Sequence, residues 1–192
     1  MADPGATGGH ARTERDMIDH RPLTAAELEA NAEAFARIIE QERANDVHAV
    51  LARVGSSWIA VPAARVLRVT RAVKPHRIPH RSHRALRGLA NIEGEVAIVM
   101  DLASLCGFSW SPTGDDAARM IVLGERGAAW AFEADEVPGT VAGNSSDLLA
   151  APLTVAATGA GFTTHLMPCA TGHAGILDVD ALLAACTEAV RS

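Results

Sequence analysis

Three histidines, His76, His80 and His83, form the densest run of metal-capable side chains in this 192-residue chain. Imidazoles four residues apart converge on one cation only when they share a helix face, and Pro75 and Pro79 break any regular helix through His80. No Cys or carboxylate lies in the same loop to complete a site, so no metal is expected there. Cys106, Cys169 and Cys186 are odd in number, far apart and without a CxxC pair. That argues against a disulfide framework and a zinc ribbon and reads them as small buried apolar residues. Gly124-x-x-Gly127 has hairpin-turn spacing with no helix after it, which excludes a phosphate loop. No P-loop, G-x-S-x-G elbow, H-E-x-x-H or G-x-G-x-x-G after a strand is present. The chain therefore reads as non-enzymatic, with no catalytic residue, cofactor or metal.

The strongest chemical signal is a block of cations. Arg53, Arg65, Arg68, Arg71, Lys74, Arg77, Arg81, Arg84 and Arg87 fall between residues 47 and 92 with no carboxylate among them, so a total charge of -6 leaves -15 on the rest. Such a separation gives the molecule oppositely charged faces and suits an acidic protein partner. The alternative is a β-barrel nucleic-acid binder that uses the 47–92 segment to neutralise phosphates. Against it, the chain has no Tyr, Trp58 is the only Phe, Tyr or Trp in that segment, and the pI is about 5.7. A small enzyme or ligand-binding domain would need a pocket of convergent titratable groups, which no motif announces. Trp110, next to a polar break at 111–116, is the aromatic residue placed to serve as a contact.

These side chains must be carried by elements that the patterning makes legible. With 48% hydrophobic and 21% charged residues the chain is globular in composition, long enough for one substantial domain or two small ones. No apolar run reaches the roughly 18 to 20 residues of a membrane span, and the first 20 residues have no apolar centre of a secretory signal, so a cytosolic protein is expected. Residues 1–20 read as a disordered tail and 21–45 as an N-terminal helix. Thr24 and Glu27 make a capping box, Leu23 and Leu28 a hydrophobic staple. Leu28, Ala32, Phe35 and Ile39 then form a stripe that is expected to be buried on the barrels or a partner.

From Val47 the texture becomes that of strands: 47–54, 58–61, 66–73, 87–91 and 95–100, a helical stub at 103–106, then 119–124, 128–133, 164–168 and 174–178, and a final helix over 179–190. Residues 138–161, rich in Gly, Ala, Ser and Thr, carry only weak strand signals. One pattern occurs twice. Residues 89–106 and 168–183 both read strand, glycine turn, strand, Asp, helical stub, with Asp101 and Asp178 placed to cap the stubs. Two copies of one small β unit suggest two similar barrels packed together, over approximately 46–110 and 117–192.

The segment Gly88-Leu-Ala-Asn91-Ile-Glu93-Gly94-Glu-Val-Ala-Ile-Val-Met-Asp101-Leu102 resembles the CheW family of bacterial chemosensory adaptors, whose motif runs from Gly through Asn-Leu-Arg-Gly to a buried strand and Asp-Leu. Trp58 to Val69 is similar to the family segment before it, and 130–137 to a later strand ending in Val-Asp-x-Val. The resemblance implies a mainly β fold over 46–192, two pseudo-symmetric five-stranded SH3-like barrels, flanked by the N-terminal amphipathic helix and a C-terminal helix. It implies a non-enzymatic scaffold that couples a chemoreceptor cytoplasmic tip to the regulatory domain of a CheA-type histidine kinase, and also meets sister CheW-like domains. It implies a cytoplasmic place in receptor arrays, reached through partners and without membrane insertion. By analogy the partner surface falls on Val66, Arg68, Val69, Asn91, Ile92, Glu93 and Gly94. The motif's Arg is Glu93 here, and the family's acidic residue on the earlier strand is Arg68. Both positions have changed sign, so the two are expected to face each other as a reversed ion pair.

Overall fold

A computed structural model describes residues 23–81, 83–112, 116–151 and 161–191. The expected tail at 1–20 lies outside them. Along the described chain come α1 (Ala25–Ala44), β1 (Val47–Val54), β2 (Ser57–Pro62), β3 (Val66–Arg71), β4 (Leu86–Ile92), β5 (Glu95–Met100) and α2 (Leu102–Cys106). They are followed by β6 (Arg119–Glu125), β7 (Ala128–Ala134), β8 (Glu136–Gly143), the two-residue β9 (Leu149–Ala150), β10 (Thr163–Cys169), β11 (Gly172–Leu177) and α3 (Val179–Arg191).

The local signals act where they stand. At the start of α1 the Thr24 backbone N–H and hydroxyl both donate to Glu27 Oε2 at 2.8 Å, closing the capping box. Along the helix itself Leu28 and Phe35 are exposed, and the side chain of Ile39 lies outside the described residues. Asp101 caps α2 by accepting from Ser104 N at 3.2 Å, and Asp178 caps α3 by accepting from Ala181 N at 3.0 Å.

The strands form two sheets, one in the order β8-β1-β2-β11-β10-β9 and the other β3-β6-β7-β5-β4. The division expected near 110–117 does not separate them. The five-stranded sheet uses the continuous segment 66–134, whereas the six-stranded sheet is assembled from 47–62 and 136–177. Each half-sequence thus gives its opening hairpin to one sheet and its later strands to the other. The parallel pairings β11 with β2 and β5 with β7 join the two halves within each sheet. Strand β8, which overlaps the weakly patterned 138–161 stretch, lies on the outer edge beside β1, where glycine and partial exposure are tolerated.

Alternation along the strands divides the apolar residues among three cores. Ala49 and Leu51 with Ala60, Met167, Ala174 and Ile176 fill the six-stranded sheet, while Met120 and Val122 with Ala90, Ile92, Ala97 and Val99 fill the five-stranded one. Their neighbours Ala52, Val54, Ile121 and Leu123 point the other way, into a central cluster with Met100, Phe132, Leu102 of α2 and Leu182 of α3. Both faces of β1 and β6 are therefore buried, which is why they read as continuous apolar runs. Cys106 and Cys186 lie in this cluster, where burial pushes each thiol up to about 12. Cys169 is only half buried, so the apolar reading holds for two of the three.

Between β7 of one sheet and β8 of the other stands a single residue, Asp135, only 6% exposed. Its carboxylate accepts from Gly55 N at 2.7 Å, from Trp110 Nε1 at 3.1 Å and from Arg53 Nη1 at 3.4 Å. Trp110 is consequently not a free contact residue: its indole is tied to Asp135 and rests on Gly55, where a Cβ would sit 3.3 Å from Trp110 Cδ1. Asp135→Ala would leave two N–H donors without an acceptor, each worth about 1–3 kcal/mol when buried. Urea unfolding of that variant is expected to show a loss of about 2–4 kcal/mol with a red-shifted tryptophan emission, and Asp135→Asn a smaller loss. A change within about 0.5 kcal/mol, the range of ordinary surface substitutions, would remove Asp135 from this role.

Candidate functional site

Strand β3 alternates between two environments: Val66, Arg68 and Thr70 are half buried, whereas Leu67, Val69 and Arg71 are exposed. Val66, half buried, packs with one side against the central cluster. Val69 faces solvent, together with Leu67, which sequence reasoning passed over. Arg68 reaches across to the β4–β5 hairpin. Its Nη1 donates to Glu93 Oε2 at 2.9 Å and its Nη2 to Glu95 Oε2 at 3.2 Å, so the reversed pair is present and includes a second carboxylate.

This fork spans the open edges of a sheet. Strands β3 and β4 are the two ends of the five-stranded order, and three to four spacings of about 4.8 Å would hold Arg68 about 14–19 Å from the hairpin if the sheet were flat. Contact at 2.9 Å requires the sheet to curl until its edges meet. The interaction is a seam between the two ends of the sheet. With side-chain exposures of 27% for Arg68 and 64% for Glu93, each pair contributes about 0–1 kcal/mol, and its larger effect is positional.

The hairpin tip is built for close turning. Glu93 and Gly94 both have positive φ, 52° and 91°, as a two-residue turn between Ile92 and Glu95 requires. A Cβ on Gly94 would meet nothing within 4 Å, so backbone conformation alone asks for glycine there. Glu93 has no such freedom; left-handed backbone costs a residue with a Cβ about 1–2 kcal/mol, and the grip of Arg68 offsets part of this. Asn91 Oδ1 accepts from Gly94 N at 2.8 Å and fixes the loop from inside. Ile92, at 3% exposure, points into the barrel core and is unavailable as a contact. Of the residues singled out from sequence, Arg68, Val69, Asn91, Glu93 and Gly94 thus have surface, while Val66 and Ile92 support it from beneath. Glu95 and the 63%-exposed Val96 were missed, although alternation with the buried Ala97 and Val99 places Val96 on the outward face of β5.

Over residues 48–186 the chain matches the CheW-like domain family. The chain belongs to the CheW-like domain family. A similar solved structure is that of the scaffolding protein TtCheW from Thermoanaerobacter tengcongensis, with a TM-score of 0.59 and 17% identity over 69% of this chain and 88% of that one. At that identity the likeness concerns the fold. No match is found among curated proteins. CheW-like membership supports a chemosensory scaffold and gives no support to the nucleic-acid alternative. Trp58, the lone large aromatic of the basic segment, packs on the core of the six-stranded sheet and not as a stacking platform. Among the described residues, no three metal-capable side chains converge and no helix is long and apolar enough to cross a membrane.

The seam makes a specific forecast. Arg68→Glu places a third carboxylate beside Glu93 and Glu95, and Glu93→Arg sets two cations together. Each single change is expected to lower stability by about 0.5–1 kcal/mol, and the double change to recover part of the loss, less than all because Glu95 then meets the carboxylate introduced on β3 instead of a guanidinium. Thermal unfolding of the four proteins in the cycle reads the coupling, and strict additivity would dissolve the pair.

Proposed function

We propose that this CheW-like chain is a non-enzymatic adaptor that couples the cytoplasmic tip of a chemoreceptor to the regulatory domain of a CheA-type histidine kinase. The observation that carries this reading is the family match over 48–186 on a fold of two joined β-barrels. The exposed face of β3 at Leu67 and Val69, and the hairpin tip at Asn91, Glu93 and Gly94, are the contact surface in this reading. An edge strand with apolar outward side chains can receive a helix or pair with a sister barrel, and rigid barrels hold two partners at fixed spacing without chemistry of their own. The adaptor acts on the cytoplasmic side of the membrane and reaches receptor arrays through its partners.

Charge supports the same reading. Nine cations fall within 47–92 against a balance of -15 elsewhere, and those left unpaired by carboxylates, such as Arg77 and Arg84, can steer an acidic partner. Co-sedimentation of the full chain with a receptor cytoplasmic fragment and a CheA-type kinase is expected to give a ternary pellet. Val69→Glu is expected to weaken one of the two contacts at least about tenfold, since a charge would be buried in an apolar contact. Association rates should fall as salt rises from about 50 to about 500 mM, because exposed charges are screened beyond a few ångströms. Absence of both partners from the pellet would overturn the adaptor reading, and rates indifferent to salt would remove the steering.

A further inference from the structure

A cavity of about 470 Å³ opens where the segment after β3 meets the start of β4. Its walls carry Arg77, Arg81, Arg84, Arg87 and His83, and no carboxylate. Three guanidiniums elsewhere in the basic segment are matched: Arg53 holds Glu136 at 3.1 Å, Arg65 forks onto Asp180 at 2.8 and 2.6 Å, and Arg68 closes the seam. Arg77 and Arg84 make no hydrogen bond or ion pair with any described residue. Arg81 donates to the neutral carbonyl of Val190 at 2.7 Å, and Arg87 reaches Glu133 only at 3.7 Å. Like charges around one concavity repel, and nothing in the wall neutralises them.

The backbone that bears these cations is held in place. His76 and Leu89 exchange two backbone hydrogen bonds at 2.7 and 2.8 Å, and a Cβ on Gly88 would lie 2.1 Å from the His76 carbonyl oxygen, so only glycine lets the segment pass so close to β4. Leu86 N donates to His83 O at 2.9 Å, and Pro75 and Pro79 restrict the path between. His83 Nδ1 accepts from Ala85 N at 3.2 Å, which leaves Nε2 as the ring nitrogen that bears hydrogen and adds a donor to the wall. The backbone is thus set, while the exposed guanidiniums of Arg77 and Arg84 have no competing partner among the described residues.

We propose that this cavity binds a small phosphate-bearing ligand, its oxygens held by the guanidiniums of Arg77, Arg84 and Arg87. Planar guanidiniums grip phosphate oxygens in pairs, and the volume lies in the range of small-molecule sites. An acidic protein segment fits less well. The adjoining cavity of about 420 Å³, which shares Arg87, mixes Arg71 and Lys74 with Asp116 and Glu133, so a run of carboxylates crossing into it would meet both signs of charge. A compact anion stays within the wholly cationic space.

Calorimetric titration of the full chain with pyrophosphate and with a nucleoside diphosphate tests this, at an ionic strength held constant with sodium chloride. Saturable binding at one site per chain is expected, weakened at least about tenfold in Arg77→Ala/Arg84→Ala and unchanged in Arg126→Ala on the β6–β7 turn. Both altered arginines are exposed and unpaired, so the variant should keep the wild-type circular dichroism and melting. Tighter binding of the nucleoside diphosphate assigns the site to organic phosphates resting on Ile78 and Pro79, and equal binding assigns it to inorganic ones. No saturable binding of either probe, or equal weakening by Arg126→Ala, overturns the proposal. So does binding of poly-glutamate through Arg77 and Arg84 when neither phosphate probe binds, which would make the surface a docking site for an acidic protein segment.

Discussion

One buried carboxylate sits where the two halves of the fold exchange chain. Asp135 is the sole residue between the last strand of one sheet and the next strand of the other, and it gathers donors from the β1–β2 turn, from Trp110 and from Arg53. Trp110 comes from a stretch of sequence far from the other two donors, so satisfying this one group requires distant segments to be in place together. A buried carboxylate without partners is heavily penalised, which makes the arrangement cooperative. The central cluster of Phe132, Leu123, Val54 and Leu182 is assembled by the same strands that this crossing brings together.

The crossing also explains why neither repeat can stand by itself. The segment 66–134 supplies one sheet whole, but the other sheet depends on strands more than seventy residues apart in sequence. Closing such a distance costs chain entropy that only extensive burial repays, and the antiparallel pairing of β1 with β8 and the parallel pairing of β2 with β11 make the link. The five-stranded sheet has strands near in sequence, and where its two edges meet Arg68 of β3 clasps the β4–β5 hairpin. A scaffold needs surfaces of fixed mutual geometry, and this fold obtains them from a shared apolar core and a polar clasp.

The basic segment is partitioned in the same way. Arg53, Arg65 and Arg68 are structural cations, each consumed by carboxylates from distant elements. Those on the loop before β4 are left to solvent, on a backbone pinned by the His76 and Leu89 exchange. Charge that looks uniform along the chain thus serves two purposes in space, and the pairing pattern, not the count, tells them apart.

Sequence alone determined the local elements and the class: the capping box at Thr24, the Asp101 and Asp178 caps, the hairpins at Glu93-Gly94 and Gly124–Gly127, the repeated unit, and the CheW-like motif. These depend on residues within a few positions of one another, where propensity, capping and alternation act directly. The sign-reversed pair of Arg68 and Glu93 was legible through the motif, but Glu95 as its second acceptor was not. What tertiary structure decided was everything set by long-range pairing. That includes which hairpin joins which sheet, the glycine-rich β8 whose partner is β1, and the enclosure of Ile92. It also includes the capture of Trp110 by Asp135. Side-chain periodicity says which residues share a face, and only the packing of distant segments decides what that face will meet.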